Sequence, residues 1–181
     1  SLCSEIINNL NKDFTWEIIF INDGSTDNSR KNILKLIEEY SNIKLIDAFK
    51  NMGKSESLNE GFKYCSGNIV ITLDADLQDD PSEINNFIEL ILSGNDMVSG
   101  WKKNRKDPLS KVIPSKIFNF VLRFLSNIKL NDFNCGFKAY KIQVVKSLVL
   151  YGGLHRFIPI LVKQNGFTIE ELVVNHRIRK Y

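Results

Sequence analysis

Apolar and polar positions follow two rhythms along this chain. Leu2, Ile6, Ile7 and Leu10 recur at helical spacing, so the chain opens on an amphipathic helix. Residues 16–22 are a run of apolar, largely β-branched side chains ending in Asn22, the pattern of a strand. The turn Asp23-Gly24-Ser25-Thr26-Asp27 caps a helix with Ile33, Leu34 and Ile37 on its inner face. The exchange then repeats with a strand at 43–48, a Gly53 turn, and a helix carrying Leu58, Gly61 and Phe62. A third strand begins at Ile69, followed by a helix over 82–92 and a short strand at 96–99. Strand–helix alternation at this pitch predicts right-handed βαβ units and a mostly parallel sheet flanked by helices.

The second half is less regular. A basic loop over 101–108 ends in Pro108, and residues 109–125 are helical in pattern. Residues 132–140 read as a loop leading into a strand, followed by a helix from about Gln143. Leu154-His155-Arg156-Phe157 opens another apolar helix, and 168–175 form a final strand. An α/β domain usually opens with a strand, whereas Ser1-Leu2-Cys3-Ser4 leads straight into a helix. Arg177-Ile178-Arg179-Lys180-Tyr181 carries no capping signal. The sequence therefore reads as one domain over 1–181, truncated at its N-terminus and at its C-terminus.

Composition narrows the class. A chain of 181 residues with 43% hydrophobic and 25% charged side chains suits a single globular core. Its net charge of +3 gives no case for nucleic acid. Cys3, Cys65 and Cys135 lie far apart without a CxxC pair, which argues for a reducing compartment and against a cysteine zinc site. No apolar run is long enough to span a bilayer.

The chemistry concentrates where the third strand ends, in Leu73-Asp74-Ala75-Asp76-Leu77-Gln78-Asp79-Asp80-Pro81. Ligands of open α/β sheets bind beyond the carboxyl ends of strands. Asp74 and Asp76 with the Gln78 amide offer hard oxygens suited to Mg²⁺ or Mn²⁺, with positions left for phosphate oxygens. The plainer reading is a polar strand-to-helix turn with Asp80 as the N-cap. Asp23 closes its own strand in the same way and is suited to a ribose or base, or to a local Asx-turn. Gly53-Lys54-Ser55 before a helix suits a phosphate, although GxxxxGK[ST] is absent.

Lys102, Lys103, Arg105 and Lys106 crowd five positions after a strand, and a guanidinium such as Arg105 clamps phosphate bidentately. A solvated surface is the ordinary reading of such a run. The helix beyond it is apolar around most of its circumference, which fits core or a membrane-facing side with Lys111 and Lys116 toward anionic headgroups. His155-Arg156 reads as a structural pair, His176 with Arg177 and Arg179 as an interface feature, and Cys135 as structural.

In combination these segments are more specific. Asn22 through Asp27, Asn51-Met52-Gly53-Lys54, the Asp74–Pro81 string, the 100–107 loop and Asn134-Cys135-Gly136-Phe137-Lys138 occur in this order. Together they resemble the family-2 glycosyltransferases of the GT-A (Rossmann-like) fold, in particular the polyprenyl-phosphate branch that includes dolichol-phosphate mannose synthase-like enzymes. The resemblance implies inverting transfer of a hexose from a UDP- or GDP-sugar to a polyprenyl phosphate, on the cytoplasmic side of a membrane. It implies donor binding by Asp23, Lys54, Asp74 and Asp76, and a Mg²⁺ or Mn²⁺ ion on Asp76 and Gln78. Lys102, Arg105, Lys111 and Ser115 would hold the acceptor phosphate, with Asp76 and Arg105 the catalytic pair. An acceptor that is already anionic needs positioning more than a strong general base. The family's opening strand, with its Pro-x-Tyr-Asn-Glu-like end, is missing from this sequence.

Three other readings stand beside it. Haloacid-dehalogenase-like phosphatases also place Asp-x-Asp after a buried strand, but Asp76 lacks the following Gly-Thr/Ser, and Ile21 stands where the first Asp would precede Asp23. A family-2 enzyme acting on a sugar hydroxyl would need a base near the acceptor, for which the loop offers Asp107. A non-catalytic nucleotide-binding module shares the fold without turnover. A homo-oligomer is compatible with all of them.

Overall fold

The computed structural model describes residues 1–103 and 109–178. Helix α1 (Leu2–Asn9) precedes strand β1 (Ile18–Asn22), helix α2 (Ser29–Glu39) and strand β2 (Ile43–Asp47). Helix α3 (Lys54–Tyr64) leads to strand β3 (Ile69–Thr72), and a 3₁₀ turn at Pro81–Glu83 runs into helix α4 (Ile84–Leu92). Strand β4 (Met97–Trp101), helix α5 (Leu109–Ser126), strand β5 (Lys138–Lys141) and helix α6 (Ile142–Ser147) follow. A 3₁₀ turn at Leu154–Phe157, helix α7 (Ile158–Gln164) and strand β6 (Ile169–Val173) complete the order.

The expected parallel sheet appears as two sheets. β1 and β2 pair in parallel, with Phe20 beside Leu45. The larger sheet has the order β3-β5-β4-β6, with β5 antiparallel to both neighbours and β4 parallel to β6. β3 and β4 thus run the same way with β5 reversed between them, a reversal that no local pattern announces. Among the described residues β1 has no partner other than β2, and its apolar residues Ile18 to Ile21 are only half-buried.

Period-two alternation divides the core between the faces of the larger sheet. Val70, Met97 and Tyr140 point to one face, where Phe62 of α3, Val144 and Val145 of α6, and Val162 of α7 cover them. Ile71, Val98 and Ala139 point to the other, beneath α4. Ile84, Phe87, Ile88 and Ile91 give α4 its buried stripe at helical spacing. Each such side chain contributes about 1.5–3 kcal/mol of transfer free energy. Phe87 packs on Phe137 with ring centroids 4.3 Å apart. α1 lays Ile6 and Leu10 on the same cluster. α3 joins the two sheets, since Phe62 packs with Val70 while Gly61 backs onto the Ile21 side chain of β1.

Two carboxylates tie distant segments together and set the acid limit of the fold. Glu17 accepts hydrogen bonds from Lys44 and from the Ser66 backbone and hydroxyl. Asp80 accepts from Ser82, Asn175 and Arg177. Burial works to raise both, but these donors outweigh it and hold each carboxyl at about 2. A folded-state value below the unfolded one stabilises above the unfolded pKa and is lost as pH falls toward the folded pKa. The urea midpoint should therefore fall steeply between about pH 4 and pH 2. Asp80→Asn should show a shallower loss, and an equal slope in the variant would remove Asp80 from the account.

Candidate active site at the strand ends

The candidate residues gather where β1 and β3 end. Asp23 follows β1, and its carboxylate reaches across to the turn before α3, accepting from Met52 N at 2.6 Å and Gly53 N at 3.0 Å. The carboxylate thus clamps two loops rather than closing a local Asx-turn. Gly24 makes the clamp possible. It adopts φ +73°, and a Cβ there would meet Asn51 N at 2.7 Å. Lys54, the first residue of α3, donates from Nζ to Asp74 Oδ1 at 2.7 Å. Asp23, Lys54 and Asp74 are thus linked along one rim.

Beyond β3 the chain reverses tightly. Leu77 sits at φ 63°, a conformation costly for a bulky side chain, while Gln78 N donates to Asp76 Oδ1 at 3.1 Å. Gln78 is buried, and its Nε2 donates to Arg177 O. Arg177, read as an interface feature, turns inward instead. Its backbone N–H donates to Gln78 O, and its guanidinium bridges Glu5 and Asp80. Asp80 is the expected cap of the following turn.

Asp79 and Lys102 form the core beneath this loop. Asp79 is fully buried, and its Oδ1 lies 2.7 Å from Lys102 Nζ, whose side chain is 8% exposed. That pairing is close in distance without being a well-aligned hydrogen bond. The other oxygen accepts from Asp74 N at 3.3 Å. Lys102, expected at the acceptor phosphate, is here paired with Asp79 beneath the acidic loop. Ser115 is half-buried in α5. Arg105, and the side chain of Lys111, lie outside the described residues, as do Lys106, Asp107 and Arg179.

Residues 134–138 pack against the rim from the side of β5. Gly136 has the Asp74 carboxylate pressed against it, so that a Cβ would meet Oδ2 at 2.4 Å. Thr72 Oγ1 donates to Gly136 O at 2.8 Å and fixes that approach. Lys138 is buried below, donating to Cys135 O. Burial pushes its ammonium below the ordinary range. Burial also raises the Cys135 thiol to about 11, which keeps it inert.

His155, read as structural, lines a cavity of about 30 Å³ with Lys54, Asp74, Asn134 and Lys138. Ser55 Oγ accepts from His155 N at 2.9 Å and lies 3.0 Å from Nδ1. Ser55 is fully buried, and a hydroxyl proton given to Nδ1 would place the His155 proton on Nε2. Burial, with Lys54 and Arg156 nearby, pushes the imidazole below its ordinary value. His155 thus lies at the rim beside Lys54 and Asp74, which no spacing in the sequence marks. At about 30 Å³ this cavity is far smaller than a whole-ligand pocket, which spans about 300–1,000 Å³. A wider groove of about 470 Å³ lies along β1 and β2 and includes none of these residues.

Among the described residues no group of three or more His, Cys, Asp or Glu side chains could hold a metal by itself. Asp76 and Gln78 still fit a hard divalent ion. Such ions keep several waters and take one or two protein oxygens beside substrate phosphates. The tight Leu77 reversal keeps Asp76 and Gln78 on one turn.

Residues 3–149 match the family model "Glycosyl transferase family 2". The chain is 34% identical over 171 residues to the dodecaprenyl-phosphate galacturonate synthase of Rhizobium johnstonii, covering 92% of this chain and 51% of that protein. It is 33% identical over 171 residues to the undecaprenyl-phosphate 4-deoxy-4-formamido-L-arabinose transferase of Pseudomonas fluorescens, covering 93% and 50%. The chain thus spans about half the length of the curated relatives it matches. Glucosyl-3-phosphoglycerate synthase from Mycobacterium tuberculosis, solved with Mn²⁺ and UDP-glucose, superposes with TM-score 0.69 at 20% identity, over 97% of this chain and 66% of that one. A further mycobacterial protein superposes with TM-score 0.71 at 19% identity, over 97% and 62%. At these identities the likeness is one of fold.

Proposed function

The chain belongs to glycosyl transferase family 2, and from that premise we propose that the protein transfers a hexose from a nucleotide sugar to a polyprenyl phosphate, with inversion. The observation that carries the reading is the rim itself, where Asp23, Lys54 and Asp74 are cross-linked above a buried Asp79–Lys102 pair. The printed names of its relatives, both polyprenyl-phosphate sugar transferases or synthases, favour a lipid phosphate over a sugar hydroxyl as acceptor.

In this reading Asp23 and Asp74 face the nucleoside, and Lys54, paired with Asp74, approaches the diphosphate. Asp76 and Gln78 hold Mg²⁺ or Mn²⁺. When bound, such an ion neutralises charge on the departing diphosphate. Arg105 clamps the acceptor phosphate, with Lys111 and Ser115 beside it. Lys102 supports the loop from below through Asp79. Nucleotide sugars are cytoplasmic metabolites, so the rim works on the cytoplasmic side of the membrane. Because the acceptor is already an anion, orientation does most of what a general base would otherwise do.

Titration calorimetry with UDP and GDP, each with and without Mn²⁺, tests the donor half. One nucleotide should bind, and Mn²⁺ should tighten that binding. Equal binding with and without the ion would overturn the metal role. Binding of neither nucleotide would overturn the donor half of the reading.

A further inference from the structure

Helix α5 has two apolar sides. The inner one joins the core, where Phe118 and Leu122 pack with Ile128, Leu130 and Phe133. Phe118 also meets the edge of Phe157 at a centroid distance of 5.9 Å. The outer side carries Ile113, Ile117, Phe120, Val121, Phe124 and Leu125, all exposed, with Phe124 at 81% and Leu125 at 73%. Their spacing is four, three, one, three and one, which at 3.6 residues per turn forms one continuous stripe. Exposed apolar residues scattered singly need no explanation, but a contiguous stripe with two phenylalanines does.

Charge identifies what covers it. Between Lys102 and Lys129 the sequence has eight basic residues and one acidic residue, Asp107. The rest of the chain holds sixteen basic and twenty acidic residues, so this segment is strongly positive and the remainder is negative. Helix α5 has no acidic residue, and Lys116 and Arg123, about two turns apart on the helix, are exposed at the margin of the stripe. A basic margin beside a Phe- and Leu-rich face describes a helix lying in the plane of a membrane interface. A second copy fits poorly, because a twofold contact through α5 sets Lys116 and Arg123 against their own equivalents with no acid on the helix to meet them. No helix among the described residues is long and apolar enough to cross a membrane.

We propose that the outer face of α5 docks the domain onto an anionic lipid bilayer, with Ile117, Phe120 and Phe124 in the acyl boundary and Lys116 and Arg123 at the headgroups. The proposal rests on the polyprenyl-phosphate reading for the presence of a bilayer, and adds to it the surface that brings the rim to its acceptor. The basic loop at 102–106 immediately precedes this helix in sequence, so docking α5 carries the acceptor-binding segment to the membrane with it.

The test is co-sedimentation with vesicles of phosphatidylcholine, alone or mixed with phosphatidylglycerol, comparing the chain with its F120S/F124S variant. Both side chains are exposed, so the variant should keep its circular dichroism and melting temperature. The wild-type chain should partition at least about tenfold better onto anionic than onto neutral vesicles. The variant should lose at least about tenfold of that binding. Undiminished binding by the variant, or no binding of the wild type to anionic vesicles, would overturn the proposal. So would a lipid-free wild-type dimer that the variant dissolves, since the face would then be a contact between copies. Calorimetry with a short, water-soluble prenyl phosphate separates this proposal from the acceptor reading. If the short lipid fails to bind while the variant still loses vesicle binding, the acceptor is wrong and the docking face stands. If it binds both chains and vesicle binding survives the substitutions, the acceptor stands and the docking face is wrong.

Discussion

Lys102→Ala should lower folding stability by about 3–5 kcal/mol, the cost of leaving a buried charge without its partner. Asp79 is fully buried, and its Oδ1 faces the Lys102 ammonium at 2.7 Å. Truncating the lysine strands that carboxylate in the interior, directly under the backbone of Asp74. Urea denaturation reads the effect. Replacing both partners with apolar residues, as in K102M/D79L, should recover only part of the loss. The ion pair is then no longer half-broken, but the Asp74 N–H has lost the Asp79 oxygen it donates to at 3.3 Å. A Lys102→Ala change within about 0.5 kcal/mol would place Lys102 among ordinary surface residues and return it to the acceptor phosphate.

Asp76→Asn should reduce sugar transfer by at least about a hundredfold while leaving the fold intact. On the proposed reading the loss follows from removing a charged ligand of the divalent ion, whose charge stabilisation is worth several kcal/mol at about 1.4 kcal/mol per tenfold. The fold should survive because an asparagine Oδ1 accepts the Gln78 N–H as the aspartate does at 3.1 Å, so the strained Leu77 turn keeps its local bond. The discriminating readout is the Mn²⁺ dependence of transfer, which should shift to higher concentration in the variant. Wild-type turnover and an unshifted Mn²⁺ curve would remove Asp76 from the metal site.

The two substitutions differ in how legible they were. Asp76 follows a buried strand and precedes Gln78 and a Pro-initiated turn, so its place at a strand end could be read directly. Lys102 reads as one of a cluster of solvated cations, and nothing within five residues shows that Asp79 waits for it under the rim. Asp23 is an intermediate case. Its position after β1 is readable, but nothing local shows that its carboxylate accepts from amides about thirty residues away. Lys138 and His155 lay deeper still. A lysine in a strand and a histidine at a helix start carry no mark of burial, and both reach the rim only because β5 and the turn before α7 are folded against Asp74. Helix α5 shows the same limit from the other side, since an apolar circumference fits core and gives no sign of which face stays exposed.

The sequence by itself determined the strands and helices, the caps at Asp80 and around Asp27, the strand-end placement of the acidic string, and the family. These depend on periodicity and on side chains within a few residues, which the linear order contains. Only the tertiary structure decided the antiparallel insertion of β5, the Asp79–Lys102 pair, the close packing of Gly136 on the Asp74 carboxylate, and the outward face of α5. Each of these is a meeting between segments far apart in sequence, or the lack of one. Burial and electrostatic pairing are set by what arrives in space, and local pattern fixes only the face each residue presents.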